Sequence, residues 1–411
     1  MRVKKVTLTN FRNYDYASVD LQDGRNVLIG ENAQGKTNFL EAIEIIALGR
    51  STRAQQDADL IKAEADSARI EVVFESNGAE VTASFALARS DKPRTKGVER
   101  QIKINGLTIG SARSLRGRLV MVSFKSSDLN LLRGGPKFRR DWIDDILITL
   151  RPTYQETLSK YGKSVAQRNR LLKQIFEKGK ASVEDQNQLK VWDEQTARIG
   201  AAIIKQRLYL LNELLPKAER HQQHISGKRE LLTAEYVFRA QESRDTEDGN
   251  TAEQPRGVAA KDIIDQPEAE LVQTLIRLMK ERRYEEIARK QTLCGPHRDD
   301  IKFALNGADA VEFASQGQQR SLVLACKLAE LERVQENLCE PPILLLDDVL
   351  AELDLNRQGL LMSQVQTETQ TLITTTHVTG FKPEWVAGAH FLAVKEGSIE
   401  PTSEAASIQL T

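Results

Sequence analysis

Residues 30–37 read GENAQGKT, a match to G-x-x-x-x-G-K-[ST], yet the carboxylates such a loop requires come only at Asp347 and Asp348, most of the chain away. Loops of this pattern cradle nucleotide phosphates with their backbone N–H groups. A typical domain holds about 100–150 residues. Loop and carboxylates can therefore share a site only if both chain ends build one nucleotide-binding head and the middle is an insertion. A length of 411 residues agrees, since it exceeds what one hydrophobic core usually holds.

The surroundings of the loop support a phosphate site over a chance glycine-rich turn. Residues 3–9 and 25–29 are β-branched runs bounded by turn formers and read as strands. After the loop, 36–47 carries Phe39, Leu40, Ile43 and Ile46 at helical spacing. Gly30 and Gly35 let the backbone curl, with Glu31, Asn32, Ala33 and Gln34 between them. Lys36 can reach the β- and γ-phosphates, Thr37 offers a hydroxyl to Mg²⁺, and the helix N-terminus faces the anion. Residues 343–346 form an apolar strand of the kind buried on both sheet faces. Asp347 at its end lies where ligands sit in parallel α/β folds and is expected to hold Mg²⁺ through water. Asp348 would orient the attacking water; being one methylene shorter than Glu, it points to slow hydrolysis.

Elsewhere the pattern predicts strands at 70–75, 80–86 and 102–104 with a tight Asn105-Gly106 turn, and a second hairpin pairing 300–305 with 311–313. From about 137 to 220 long helices with few breakers suggest an arm and not another sheet. Residues 241–257 are polar and breaker-rich, the composition of a disordered loop, and a helix over 268–290 follows. Ser315, Gln316, Gly317 and Gln318 make a small polar turn feeding a helix over 320–335. Such a turn is either a plain N-cap or a second anion site. One chain already has its phosphate loop, so the second site would serve another phosphate or another subunit's nucleotide. A helix over 355–365 and a strand over 371–374 lead to His377.

Lys+Arg and Asp+Glu both number 58, which excludes a uniformly basic nucleic-acid binder. Two local clusters remain: Arg113, Arg116, Arg118, Lys125, Arg133, Lys137, Arg139 and Arg140, and then Arg89, Lys92, Arg94, Lys96, Arg100 and Lys103. Residues 151–230 add 16 basic against 9 acidic residues, suited to a phosphate backbone. With aromatics at 5%, reading of duplex backbone is expected over base stacking. No apolar run approaches the roughly 18 residues of a membrane helix, and the opening MRVKKVTLTN has no signal-like apolar stretch. Cys294, Cys326 and Cys339 show no paired spacing, which suits a reducing, cytoplasmic setting. His221 and His224 could share a helix face, but no third metal ligand is visible.

GENAQGKT, SQGQQR and LLLDDVLAELD, in this order around a helical insert, resemble the ABC-type, SMC-like head ATPases of DNA repair. TNFRNY (9–14), LLRGGPKFRR (131–140) and GPHRDD (295–300) are similar to the recombination mediators among them. The resemblance implies an α/β, ABC-type ATPase head built from both chain ends with an inserted, mainly helical arm domain. The expected segments are 1–135, 136–290 and 291–411. It further implies ATP on Gly30, Glu31, Asn32, Ala33, Gln34, Gly35, Lys36 and Thr37, and Mg²⁺ on Thr37 and Asp347. Lys36, Asp348 and a switch histidine at His377 would be catalytic. Ser315, Gly317 and Gln318 would touch the γ-phosphate held by a partner subunit, residues 351–354 would form a loop crossing the dimer interface, and Arg12 with Asn13 would lie on the base or ribose side. The chain departs from the family's S-P-E-D-like run, reading Lys125-Ser126-Ser127-Asp128. The implied function is a weak, DNA-stimulated ATPase that dimerises on ATP and binds duplex, gapped or junction DNA. With RecO- and RecR-like mediators it would help to load a recombinase. The alternatives are a transporter's ABC-type nucleotide-binding subunit and an SMC-like structural ATPase. The long basic insert argues against the first, and the lack of sustained heptads against the second.

Overall fold

Alternating apolar residues near the N-terminus build the first of two sheets in one unit of the chain. A computed structural model describes residues 1–90, 97–238, 264–363, 365, 368–377 and 388–402. Met1–Asp128 with Leu331–Thr411 makes up this unit, and Leu129–Glu330 makes up another. The N-terminal part runs β1 (Arg2–Phe11), β2 (Tyr14–Asp20), β3 (Arg25–Ile29), α1 (Lys36–Leu48), β4 (Ser67–Ser76), β5 (Ala79–Arg89), β6 (Val98–Ile104), β7 (Leu107–Ile109) and β8 (Met121–Lys125). Six of these strands form an antiparallel sheet ordered β2-β1-β4-β5-β6-β7. Its inward residues, among them Leu8, Ile70, Val72 and Phe85, share a core with Phe39, Ile43 and Ile46 of α1. That period-two burial against a period-3.6 stripe is how a half-polar strand and an amphipathic helix hide their apolar faces together. Asn105 and Gly106, both at positive φ (49° and 79°), make the two-residue turn between β6 and β7.

The second unit is mainly helical. It contains α2 (Pro136–Leu150), α3 (Tyr154–Lys178), α4 (Val183–Ser226), β9 (Leu232–Val237), α5 (Glu268–Glu281), α6 (Arg283–Arg289), β10 (Asp300–Leu305) and β11 (Ala308–Asp309), and α7 (Gln316–Asn337) starts in it. Ser182 and Asp185 form a capping box at the start of α4, and Gly227 ends that helix in the left-handed region. Ile143 and Leu147 of α2, Ile204, Leu208 and Leu211 of α4, Phe303 of β10 and Leu322 of α7 share one core.

The mainly helical arm also carries a small sheet, β11-β10-β9, in which β10 pairs with β9 over six residues. Three expectations change here. Residues 311–313 are not a strand: Asp309 caps a short helix, Ala310–Phe313, through the N–H groups of Val311 and Glu312. The helix expected over 268–290 breaks at Arg282 between α5 and α6. The stretch 291–330 was assigned to the head's second half but belongs to this unit, because β10 and the start of α7 bury Phe303, Leu322 and Cys326 in its core. The loop expected at 241–257 lies outside the described residues.

The chain then returns to the first unit with β12 (Ile343–Asp347), α8 (Leu355–Ser363), β13 (Thr371–Thr375), β14 (His390–Lys395) and β15 (Ser398–Pro401). These complete a second sheet ordered β15-β14-β3-β13-β12-β8, parallel throughout except for the β14–β15 pair. Strand β3, from the N-terminal end, is inserted between β13 and β14 from the C-terminal end. Val27, Leu28, Leu344, Leu345 and Leu372 are all buried, as expected of parallel strands covered on both faces. The α/β head built from both chain ends, with its mainly helical insert, is thus the fold observed.

Candidate nucleotide site

The loop after β3 emerges at the C-terminal edge of the parallel sheet, and its two defining glycines are demanded by close neighbours. A Cβ on Gly30 would stand 2.2 Å from the carbonyl oxygen of Val394. Gly35 has φ +120°, and a Cβ there would stand 2.7 Å from Asn13 Nδ2 and 2.8 Å from the Tyr14 hydroxyl. Those same side chains brace the loop, since Tyr14 OH donates to Gly35 O at 2.9 Å and Asn13 Nδ2 to Gln34 O at 2.9 Å. From the other side the Glu396 N–H donates to Gln34 Oε1 at 2.6 Å. Because the Gly30 obstacle is backbone and cannot swing away, Gly30→Ala is expected to cost about 2 kcal/mol of stability. A thermal melt of the variant beside the parent checks this; an unshifted melting temperature would contradict it.

Helix α1 starts at Gly35 with no side-chain cap and no acidic residue in its first turn. Its first N–H groups and its dipole are therefore left for an anion. Lys36 is 4% exposed and folds back on the loop, its Nζ donating to Gly30 O at 2.7 Å and Glu31 O at 2.9 Å. Burial pulls the Lys36 pKa below the usual lysine value, while Asp348 and Asp347 push it back up.

Strand β12 delivers Asp347 directly to this loop. Thr37 Oγ1 donates to Asp347 Oδ1 at 3.0 Å, and Thr374 Oγ1, from the neighbouring β13, donates to the same oxygen at 2.8 Å. The Asp348 N–H in turn donates to Thr374 Oγ1 at 2.9 Å, with Asp348 in the left-handed region at φ 56°. Thr374 was not read as a site residue; the signal for it was the run Thr374-Thr375-Thr376 closing an apolar strand. Thr37 and Asp347 offer hard oxygens within 3.0 Å of each other, the donor chemistry of Mg²⁺ sites that use one or two side chains plus phosphates and water. A narrow cleft here is lined by Thr37, Asp347, Glu44, Lys125, Glu41 and Arg53 with Leu40 and Leu345.

Two acidic residues of α1 are buried as well. Glu41 is held by Arg12, whose Nε and second terminal nitrogen donate at 3.0 and 2.9 Å, and by Ser51 Oγ at 2.6 Å. Arg12 thus lies beside the loop, tied to Glu41 and to Asp59 O, while Asn13 touches the loop itself. Glu44 pairs with Lys125. Neither buried carboxylate was anticipated, because both occupy positions in an otherwise apolar helical stripe. His377 follows β13 as an exposed residue, its Nδ1 2.9 Å from Thr376 Oγ1.

Ser315, Gly317 and Gln318 belong to the second unit and open α7. Ser315 Oγ accepts from the Gln318 N–H at 3.3 Å while Gln318 Oε1 accepts from the Ser315 N–H at 2.8 Å, a reciprocal cap. Ser315 and Gly317 are exposed, as is Phe313 just before them (71%).

The basic clusters are spent differently from the sequence expectation. Arg139 is buried on Asp300 (2.7 Å), Arg140 donates to Asp299 O (2.7 Å), Arg133 donates to Gln319 (2.8 Å) and Lys125 binds Glu44. In the second cluster Arg100 pairs with Asp57 and Arg89 donates to Ala65 O, while Lys92, Arg94 and Lys96 lie outside the described residues. Arg168 and Arg207 of the arm are likewise buried in ion pairs. A tally of charges overstated the free basic surface, because acidic partners distant in sequence consume many of these cations.

Residues 2–387 match the family described as the RecF/RecN/SMC N terminal domain. A DNA replication and repair protein RecF of Thermosynechococcus vestitus is 39% identical, with 99% of each chain covered. Another, of Gloeobacter violaceus, is 39% identical with 97% of this chain and 98% of that one covered. A solved structure described as the recombination mediator protein RecF-ATP in the RecFOR pathway superposes with a TM-score of 0.83 at 28% identity, covering 98% of both chains. An Smc head bound to the winged-helix domain of ScpA reaches a TM-score of 0.52 at 14% identity, a likeness of fold alone.

Proposed function

Because the chain belongs to the RecF family of the RecF/RecN/SMC N-terminal-domain proteins, we propose that it binds ATP and Mg²⁺ and works as an ATP-gated DNA-binding protein of replication and recombinational repair. The observation that carries this reading is the 3.0 Å Thr37–Asp347 contact at the mouth of the Gly30–Thr37 loop, with Lys36 beside it. On this reading the N–H groups of Gly30, Glu31, Asn32, Ala33, Gln34 and Gly35 and the α1 N-terminus cradle the phosphates. Lys36 exchanges its two loop carbonyls for phosphate oxygens. Thr37 and Asp347 hold Mg²⁺, which would neutralise charge on the β- and γ-phosphates. Asp348 orients water for attack, and its short side chain fits slow turnover. His377 is assigned a supporting catalytic role at the end of β13, and Arg12 orders the loop's flank through Glu41.

Ser315 and Gly317 are exposed and Gln318 is half-buried at the start of α7, a placement that fits a role on the nucleotide of a second copy. ATP would then favour a homodimer by binding it more tightly than the monomer. The DNA bound is assigned as duplex with a gap or single-strand junction, and RecO- and RecR-like mediators are the assigned partners, in the cytoplasm. No helix among the described residues is long and apolar enough to cross a membrane.

The test combines ATP turnover with light scattering, with and without gapped duplex DNA. ATP-dependent dimers whose turnover rises with DNA are expected. Ser315→Arg places a bulky cation at the exposed cap and is expected to leave a monomer in saturating ATP while the chain still binds nucleotide. Dimers of unchanged stability in that variant would remove the signature run from the interface.

A further inference from the structure

Lys125 ends β8 in register with Asp347 on the adjacent parallel strand, and both line the cleft that Thr37 opens onto. Its Nζ lies 2.5 Å from Glu44 Oε1 and donates to Thr52 Oγ1 at 3.0 Å, while Thr52 Oγ1 donates to Glu44 Oε2 at 3.3 Å. The Lys125 N–H is fixed by Asp128 Oδ2 at 2.9 Å. The ammonium is therefore held by two side chains and the backbone that carries it by a third. Within the pair the carboxylate is the deeper partner, its side chain 1% exposed against 12% for Lys125, and both residues line the cleft. A buried ion pair of this kind is seldom a gain in stability over an apolar pair of equal volume. Its position at the Asp347 end of the sheet gives it a different consequence.

We propose that Lys125 is a positioning residue of the nucleotide site: its ammonium, anchored by Glu44 and Thr52, sets a permanent positive charge beside Thr37 and Asp347 and lowers the affinity of the nucleotide complex for its divalent cation. This inference rests on the ATP-site reading above. Two like charges separated by a few ångströms at a partly buried site repel appreciably, and a neutral amide in place of the ammonium removes the repulsion. The Glu44 carboxylate offsets part of that field, so its removal alone acts in the opposite direction. The departure from the family's run at Lys125-Ser126-Ser127-Asp128 would then be a device that tunes cation occupancy.

The experiment is a Mn²⁺ titration of the full chain by electron paramagnetic resonance, in the presence of a non-hydrolysable ATP analogue. Metal-free analogue binding is followed separately by fluorescence. Lys125→Gln is expected to tighten Mn²⁺ about tenfold, and Glu44→Gln to weaken it. The double variant, whose paired amides avoid leaving a buried charge alone, should tighten Mn²⁺ by about fourfold, between the parent and Lys125→Gln. Mn²⁺ affinity within about twofold of the parent in both Lys125→Gln and the double variant overturns the proposal; should Lys125→Gln not fold, the double variant decides it. Lys36→Ala separates the two readings. If the parent binds the analogue and Lys36→Ala does not, an unmoved Mn²⁺ affinity sinks the Lys125 inference alone. If the parent binds no analogue, the ATP site and this inference fall together.

Discussion

Lys36→Arg is expected to abolish measurable ATP turnover, a loss of about 10²–10³-fold or more, the scale for removing one preorganised electrostatic group. The lysine sits almost wholly buried in the curl of the loop, its ammonium 2.7 and 2.9 Å from two loop carbonyls. A compact point charge can turn from those carbonyls to incoming phosphate oxygens. A planar, larger guanidinium has five fixed donors and no room to make that exchange. Burial already lowers the Lys36 pKa, so the pocket spends energy to keep a charge there. Phosphate release with and without DNA is the measurement. A thermal melt of the variant separates chemistry from folding, since the α1 core of Phe39, Ile43 and Ile46 is untouched. Turnover within about threefold of the parent would remove Lys36 from the proposed role.

Arg168→Leu is expected to be the most damaging single change in the helical unit, at about 3–5 kcal/mol. Arg168 is fully buried, donating from Nε to Asp193 Oδ1 at 2.8 Å, from one terminal nitrogen to Glu286 Oε2 at 2.6 Å and from the other to Thr292 Oγ1 at 3.0 Å. It ties α3 to α4, α6 and the segment after α6. Leucine fills part of the volume but leaves carboxylates in the interior with less compensation; Arg283 still reaches Asp193, whereas Glu286 loses its guanidinium. Burial raises the Glu286 pKa and Arg168 opposes that rise, so the variant pushes it higher still. A carboxyl whose folded pKa is raised contributes stability below its unfolded pKa and loses it as pH rises through the folded value. The deficit should therefore be smallest at acidic pH, below the ordinary glutamate range, and largest at neutral pH. Urea melts followed by circular dichroism across that range measure it. A pH-independent loss under about 1 kcal/mol would mean that the ion pairs contribute little.

The site's chemistry was far more legible than its support. Gly30, Gly35, Lys36 and Thr37 announce a phosphate loop because a short run must carry the whole backbone path, and the structure adds the contacts at Val394 and Asn13 that forbid a side chain. Asp347 was legible because a buried parallel strand is apolar along its length and an acid at its end stands out. Thr374 was harder, since a threonine in a strand is ordinary until Asp347 is seen beside it. Glu41 and Glu44 could not be foreseen: a helical stripe marks which face is buried, but not that two carboxylates on it will meet Arg12 and Lys125. The basic clusters were overcounted for the same reason, Arg139 finding Asp300 from 161 positions away.

The sequence by itself determined the loop, the acidic strand end, the tight Asn105-Gly106 turn and the need for both chain ends to form one head, because each is encoded by neighbouring residues or by one strong spacing. Only the tertiary structure decided that β3 inserts between β13 and β14, that 291–330 folds with the arm, and which cations are consumed internally. These outcomes depend on which faces bury against one another. Burial and ion pairing act between residues far apart in the chain, where local sequence carries no signal of its partner.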